Sequence, residues 1–127
     1  MDGTVLRLAA EPEAAGRARR AAVALAFELG ASPEARDSIA VAVTEAVANV
    51  VVHAYRAGGD GLVEVALRGD DDCLEVIVSD TGVGMHPRDD SPGLGLGLGL
   101  IATLADQFEV SHGEAGGTDV RLGFRLR

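Results

Sequence analysis

Residues 39–52, IAVAVTEAVANVVV, constrain this chain more than any other stretch. Only Thr44, Glu45 and Asn49 are strongly polar there, so the segment has to be buried against something. Its spacing is helical: Val43, Val47, Val50 and Ala54 fall on one apolar stripe. Upstream, Ser32-Pro33-Glu34 reads as an N-cap, a proline at the first helical position and an acid in the first turn. A helix is therefore expected from about residue 33 to His53 or Ala54, broken by Gly58-Gly59-Asp60-Gly61. Glu45, Asn49 and His53 recur at i, i+4 and i+8 and share a second face, flanked by Val41, Ala42, Ala48 and Val52. A carboxylate, an amide and an imidazole on an apolar wall need compensation by a metal, water or ligand, because an unpaired buried carboxylate is costly. The structural alternative puts Glu45 at a solvent edge, bonds Asn49 to backbone and packs His53 near the helix end.

What covers this helix follows from the flanking periodicities. Residues 14–29 are rich in Ala and Arg, with strong helix propensity, and Gly30 is a natural C-terminal stop. Residues 4–8 are expected to form a short first strand, closed by Glu11-Pro12. Val63, Val65 and Leu67 alternate with Glu64 and Arg68. Leu74, Val76 and Val78 alternate with Glu75, Ile77 and Ser79. With Gly69-Asp70-Asp71-Asp72 between them, the two runs predict a hairpin. A helix over 100–106, a short strand over 108–111 and a last strand alternating Val120, Leu122, Phe124 and Leu126 complete the order β-α-α-β-β-α-β-β. Strands joined by tight turns favour a mixed, mostly antiparallel sheet with helices on one face, an α+β fold arranged as a two-layer α/β sandwich. The 127 residues suit a single domain, 1–127, and at 47% hydrophobic but 3% aromatic its core must be Ala, Val and Leu.

Charge removes several chemistries. All 11 basic residues are Arg and none is Lys, against 20 acids, for a net charge of −9. Without a lysine there is no Walker-type P-loop, no kinase strand Lys and no Schiff base. Any phosphate must be held by backbone N–H groups, a metal or Arg. The acidic balance argues against direct nucleic acid or an anionic membrane as partner. The single cysteine, Cys73, excludes an internal disulfide. No apolar run approaches the roughly 20 residues of a membrane span, and the N-terminus lacks a signal-peptide pattern, so a cytoplasmic location is expected.

Two glycine-rich stretches add chemistry. In Ser79-Asp80-Thr81-Gly82-Val83-Gly84, a carboxylate ends a strand and glycines follow two and four positions on. Such a carboxylate can accept a hydrogen bond from an exocyclic amine such as adenine N6, worth about 1.5–3 kcal/mol, and the glycines let backbone approach a flat ligand. An ordinary Asp-Thr-Gly turn is the bland alternative. Gly93-Leu94-Gly95-Leu96-Gly97-Leu98-Gly99-Leu100 enters a helix, where unpaired N–H groups and the helix dipole favour phosphate. A loop whose leucines cover the core is the competing account.

Taken in order, Glu45-x-x-x-Asn49 on a helix, Asp80-x-Gly82-x-Gly84 after a strand, Gly95-x-Gly97 into a helix and Gly116-Gly117-Thr118 before a last strand resemble the GHKL (Bergerat-type) ATP-binding superfamily. Thr44-Glu45-Ala46-Val47-Ala48-Asn49, with His53 and Tyr55, is similar to the N-box of the bacterial anti-sigma-factor serine kinases. The resemblance spans about residues 5–126. It implies a Bergerat-type sandwich, a single histidine-kinase-like ATPase domain, binding of ATP with Mg²⁺, and serine/threonine protein kinase activity. Position by position, it implies that Asn49 holds Mg²⁺ and Glu45 is the general base. Asp80 binds adenine N6 with Thr118 close by, Gly82 and Gly84 line the adenine pocket, and Gly95 and Gly97 face the phosphates. Arg56 and Arg88 lie in segments suited to a phosphate contact. The implied partners are a sigma factor and an anti-anti-sigma (antagonist) protein, in a homodimer formed through the first strand and its sheet edge.

The segment between Gly84 and Gly95, MHPRDDSPGL, is shorter than the lid usual in that family. A short lid excludes less water and slows turnover. It leaves open a nucleotide-binding regulatory module that sequesters its partner with little or no kinase activity. The absence of a coiled-coil heptad run makes a sensor histidine kinase a poorer match. Arg17, Arg19 and Arg20 form either a patch for an acidic partner or a solvated helix face.

Overall fold

The computed structural model describes residues 2–56, 61–80, 98–112 and 118–127. The element order is β1 (Asp2–Ala9), α1 (Glu13–Glu28), α2 (Pro33–Arg56), β2 (Leu62–Gly69), β3 (Cys73–Asp80), α3 (Leu98–Leu104), β4 (Gln107–His112) and β5 (Thr118–Arg125). This is the expected order, with α3 beginning two residues early so that Gly99 lies inside it.

The helical hairpin is built from local signals. Gly30, at φ +85°, ends α1. Its N–H donates to Phe27 O at 3.0 Å and that of Ala31 to Ala26 O at 2.9 Å, the paired bonds of a Schellman ending that a glycine accommodates without Cβ strain. Two residues later the Ala35 N–H donates to Ser32 Oγ at 3.1 Å, the capping bond that starts α2. The hairpin turn between β2 and β3 is set by Asp70, whose Oδ1 accepts from the N–H groups of Asp72 at 2.8 Å and Cys73 at 2.9 Å.

The five strands lie in the order β1-β2-β3-β5-β4, each neighbouring pair antiparallel. Among the described residues, the parallel pairing that a mixed sheet allows does not occur. Burial alternates along the strands, with Val63, Val65, Leu67, Leu74, Val76, Val78, Val120, Leu122 and Phe124 all turned to the helices. On the helix layer, α1 offers a stripe of small residues, Ala14, Ala18, Ala22 and Ala26, and α2 offers Ile39, Val43, Val47 and Val50. Of the apolar stripe expected on α2, Val43, Val47 and Val50 are buried, and the side chain of Ala54 lies outside the described residues. Helix α2 lies across β2, β3 and β5 and touches α3. The other sheet face is polar and partly open, with an Arg7–Glu64 ion pair at 3.3 Å between the neighbouring strands β1 and β2.

Candidate functional site

Strand register brings two distant residues together. The β3–β5 pairing sets Val78 opposite Val120 and Ser79 opposite Asp119. One rung further, Asp80 ends β3 beside Thr118, which begins β5. Val63 of β2 flanks Asp80 on its other side, and Thr118 pairs with His112 of β4. Side chains two apart share a face, so Asp80 and Thr118 point with Val78 and Val120 toward the helix layer. Among the described residues they are the buried polar side chains, 5% and 6% exposed. A carboxylate placed this way is held in an apolar setting by the sheet itself, where a hydrogen bond counts for more than at the surface.

Helix α2 supplies the second half. Glu45 and Asn49 lie one turn apart, both half-buried, at the rim of the apolar stripe. Beside them Val41 and Val52 are each 43% exposed, so this rim opens outward. The Asn49 Nδ2 atom is buried and makes no hydrogen bond among the described residues. An unbonded buried amide N–H costs about 1–3 kcal/mol, and the structural alternative, in which Asn49 bonds backbone, is not met at this atom. Thr44, by contrast, donates its hydroxyl to Ala40 O at 2.6 Å. That bond ties the Thr44 hydroxyl to the helix and, among the described residues, leaves Glu45 and Asn49 as the polar groups on this face with capacity for a ligand.

The donor set suits a hard cation. The Asn49 amide can present either its oxygen or its nitrogen by rotation about χ2, and Mg²⁺ takes oxygen ligands while keeping several waters. Among the described residues no group of three His, Cys, Asp or Glu side chains gathers to hold a metal. A cation held by one side chain, with phosphate and water completing its shell, fits that donor set.

Of the other residues singled out, Gly82, Gly84, Gly95 and Gly97 lie outside the described residues, as do Gly116, Gly117, Arg88 and the short lid. His53, Tyr55 and Arg56 sit in the last turns of α2, and their side chains are likewise outside the description. The residue that sequence reasoning passed over is Phe27. It follows the small-residue stripe of α1 and would be read as core, yet it is 64% exposed. The signal was present in its angular offset from Ala18, Ala22 and Leu25.

Residues 8–124 match the histidine kinase-like ATPase domain. The chain belongs to the histidine kinase-like ATPase family. Within it, the chain is 34% identical to the serine-protein kinase RsbW of Bacillus licheniformis, over 80% of this chain and 72% of that protein. The RsbW of Listeria innocua is 33% identical over 89% of this chain and 82% of the relative. Among solved structures, the RsbU and RsbW domains of Rv1364c from Mycobacterium tuberculosis superpose with a TM-score of 0.74 at 25% identity. That alignment covers 99% of this chain and 33% of the larger protein, so this chain spans about a third of it. The α+β architecture with its five-stranded sheet is therefore that of the histidine kinase-like ATPase family. Among the described residues, no helix is long and apolar enough to cross a membrane.

Proposed function

We propose that this chain is an ATP-dependent serine/threonine protein kinase of the anti-sigma-factor type. It binds Mg-ATP, phosphorylates an antagonist protein and, in another state, sequesters a sigma factor in the cytoplasm. The observation that carries the reading is the buried Asp80–Thr118 pair at the end of a sheet crossed by the helix that bears Glu45 and Asn49.

In this reading Asp80 accepts a hydrogen bond from adenine N6, and Thr118, on the next strand, completes recognition of that edge directly or through water. Gly82 and Gly84 line the adenine, and Gly95 and Gly97 turn backbone N–H groups to the phosphates. Asn49 holds Mg²⁺ through its amide oxygen. When bound, the cation neutralises charge on the phosphates. Glu45, one turn away, takes the proton of the attacking serine or threonine hydroxyl, or orients that hydroxyl. The scheme uses no lysine, in keeping with a chain that has none. A homodimer through β1, an edge strand with one open side, accompanies it.

The test is incubation with γ-labelled Mg-ATP and the cognate antagonist. Wild type should label a serine or threonine, and Glu45→Ala should not. Labelling equal in both would remove the kinase assignment. Calorimetry run beside it separates the nucleotide-binding module with little turnover, which binds ATP and labels nothing, from a domain that binds no nucleotide.

A further inference from the structure

The helical hairpin holds a cavity far from the residues discussed so far. Helix α1 buries Ala18, Ala22, Leu25 and Ala26, which leaves Phe27 facing out. Arg36 of α2 holds its guanidinium 5.1 Å from the Phe27 ring centroid, within cation–π range. Both line a cavity of about 620 Å³ between α1 and α2, inside the range of about 300–1,000 Å³ usual for small-molecule sites. The Arg36 Nε is buried and makes no hydrogen bond among the described residues. A buried charged donor without an acceptor is costly, so a ligand that brings an acceptor is favoured there. Charge is spread unevenly along the cavity. Glu28 follows Phe27 and Asp37 follows Arg36, whereas Arg19 and Arg20 line it about two turns further back on α1. From Phe27 to Arg20 is about 11 Å along the helix axis, at about 1.5 Å of rise per residue.

This layout asks for a ligand with a flat ring at one end and negative charge at the other. The ring end has both a donor fork and acceptors. A guanidinium takes two acceptors side by side, and among the purines guanine offers them at O6 and N7. The N–H donors on the other edge of guanine find acceptors in the Glu28 and Asp37 carboxylates. Adenine sets an amine beside its N7 and would turn a donor toward Arg36. At the far end, Arg is the side-chain cation available for phosphate, since the chain has no lysine. We propose that this cavity is a second nucleotide site, specific for a guanine nucleotide such as GDP. The base lies against Phe27 with O6 and N7 toward Arg36, and the phosphates reach Arg19 and Arg20. The site is separate from the one proposed for ATP. Arg36 and Asn49 share α2 but are about 20 Å apart along its axis, at about 1.5 Å of rise per residue. Guanine recognition here is independent of the kinase reading.

The test is titration calorimetry of GDP into the full chain, with a non-hydrolysable ATP analogue held in excess so that the proposed ATP site is filled. ADP, guanosine and inorganic phosphate are titrated separately under the same conditions. GDP should bind about tenfold or more tighter than each of them, and its binding should weaken with added salt. Phe27→Ala, Arg36→Gln and Arg36→Lys should each lose about tenfold or more in GDP affinity, the last because an ammonium keeps the charge but not the fork. Asp80→Ala should bind GDP as wild type does. Arg20→Gln, at an exposed position, reports the phosphate end should a variant at Phe27 or Arg36 fold poorly, and melting curves on every variant report folding. No GDP binding at about 1 mM, ADP, guanosine or phosphate binding as tightly as GDP, or folded cavity variants with wild-type GDP affinity would each overturn the proposal. So would displacement of GDP by the ATP analogue, or GDP binding lost in Asp80→Ala and kept in Arg36→Gln, since either result would put GDP in the ATP site.

Discussion

At the residue scale, the most telling atom is the Asn49 Nδ2, buried without a hydrogen-bond partner among the described residues. A side chain kept for folding would not leave a donor in that condition. Replacing Asn49 with Ala removes the unbonded group and raises helix propensity. The ligand-free Asn49→Ala protein should therefore melt at or above the wild-type temperature, while phosphoryl transfer and Mg-dependent ATP affinity collapse. Lower stability without loss of ATP affinity would mark Asn49 as structural. Asp80 gives the complementary case. Losing one charged hydrogen bond of about 1.5–3 kcal/mol should weaken ATP binding about ten- to a hundredfold in Asp80→Ala, read by calorimetry. These two positions were readable in the sequence because their chemistry is local: a polar group at the wrong place in an apolar pattern. That Asp80 has Thr118 for a neighbour was not readable from spacing. Thirty-eight positions separate them, and only the sheet register joins them.

At the element scale, the caps and turns were plain in the sequence, since each rests on residues a few positions apart. Ser32 at the start of α2, Gly30 at the end of α1 and the Asp70 turn all stand where their residue types demand. Gly30 is the left-handed position of the α1 ending, so Gly30→Ala should cost about 1 kcal/mol, seen as a lower urea midpoint with unchanged slope. The Asp70 turn is sensitive to pH. Hydrogen bonds from the N–H groups of Cys73 and Asp72 hold its carboxyl below the usual value. A folded-state pKa below the unfolded one adds stability that is complete above the unfolded pKa and disappears as pH falls through the folded one. The stability gap between wild type and Asp70→Ala should thus be open at neutral pH and close in strong acid, checked by urea melts at both. Three features escaped sequence reasoning at this scale. The start of helix α3 at Leu98 was not legible, because alternating Gly and Leu carries no clear helical or strand period, and strand order is not encoded in alternation at all. Phe27 was obscured by its composition, an aromatic within an alanine-rich helix whose buried side is already filled.

At the scale of the whole molecule, ligand and fold are linked by mass action. ATP that binds the folded domain alone adds about 2.7 kcal/mol of stability at a hundred times its Kd. Differential scanning calorimetry with Mg-ATP should show an upward shift in wild type that is lost in Asn49→Ala and much reduced in Asp80→Ala. An equal shift in all three would mean that nucleotide binds elsewhere. The core that transmits this linkage is aliphatic. Ile39, fully buried on α2, should cost about 2–5 kcal/mol when cut to Ala. The sandwich class was evident from the order of periodicities. The placing of β5 between β3 and β4 was not, because it depends on which edges remain free once the earlier hairpin has closed. That placement has a consequence for how the protein is made. The strand that comes last in the order fills an interior slot, so a ribosome that has released everything through β4 has exposed two unzipped borders, one on β3 and one on β4. Until Thr118–Arg125 emerges and pairs with both, Asp80 lacks Thr118 beside it and the proposed adenine site is incomplete.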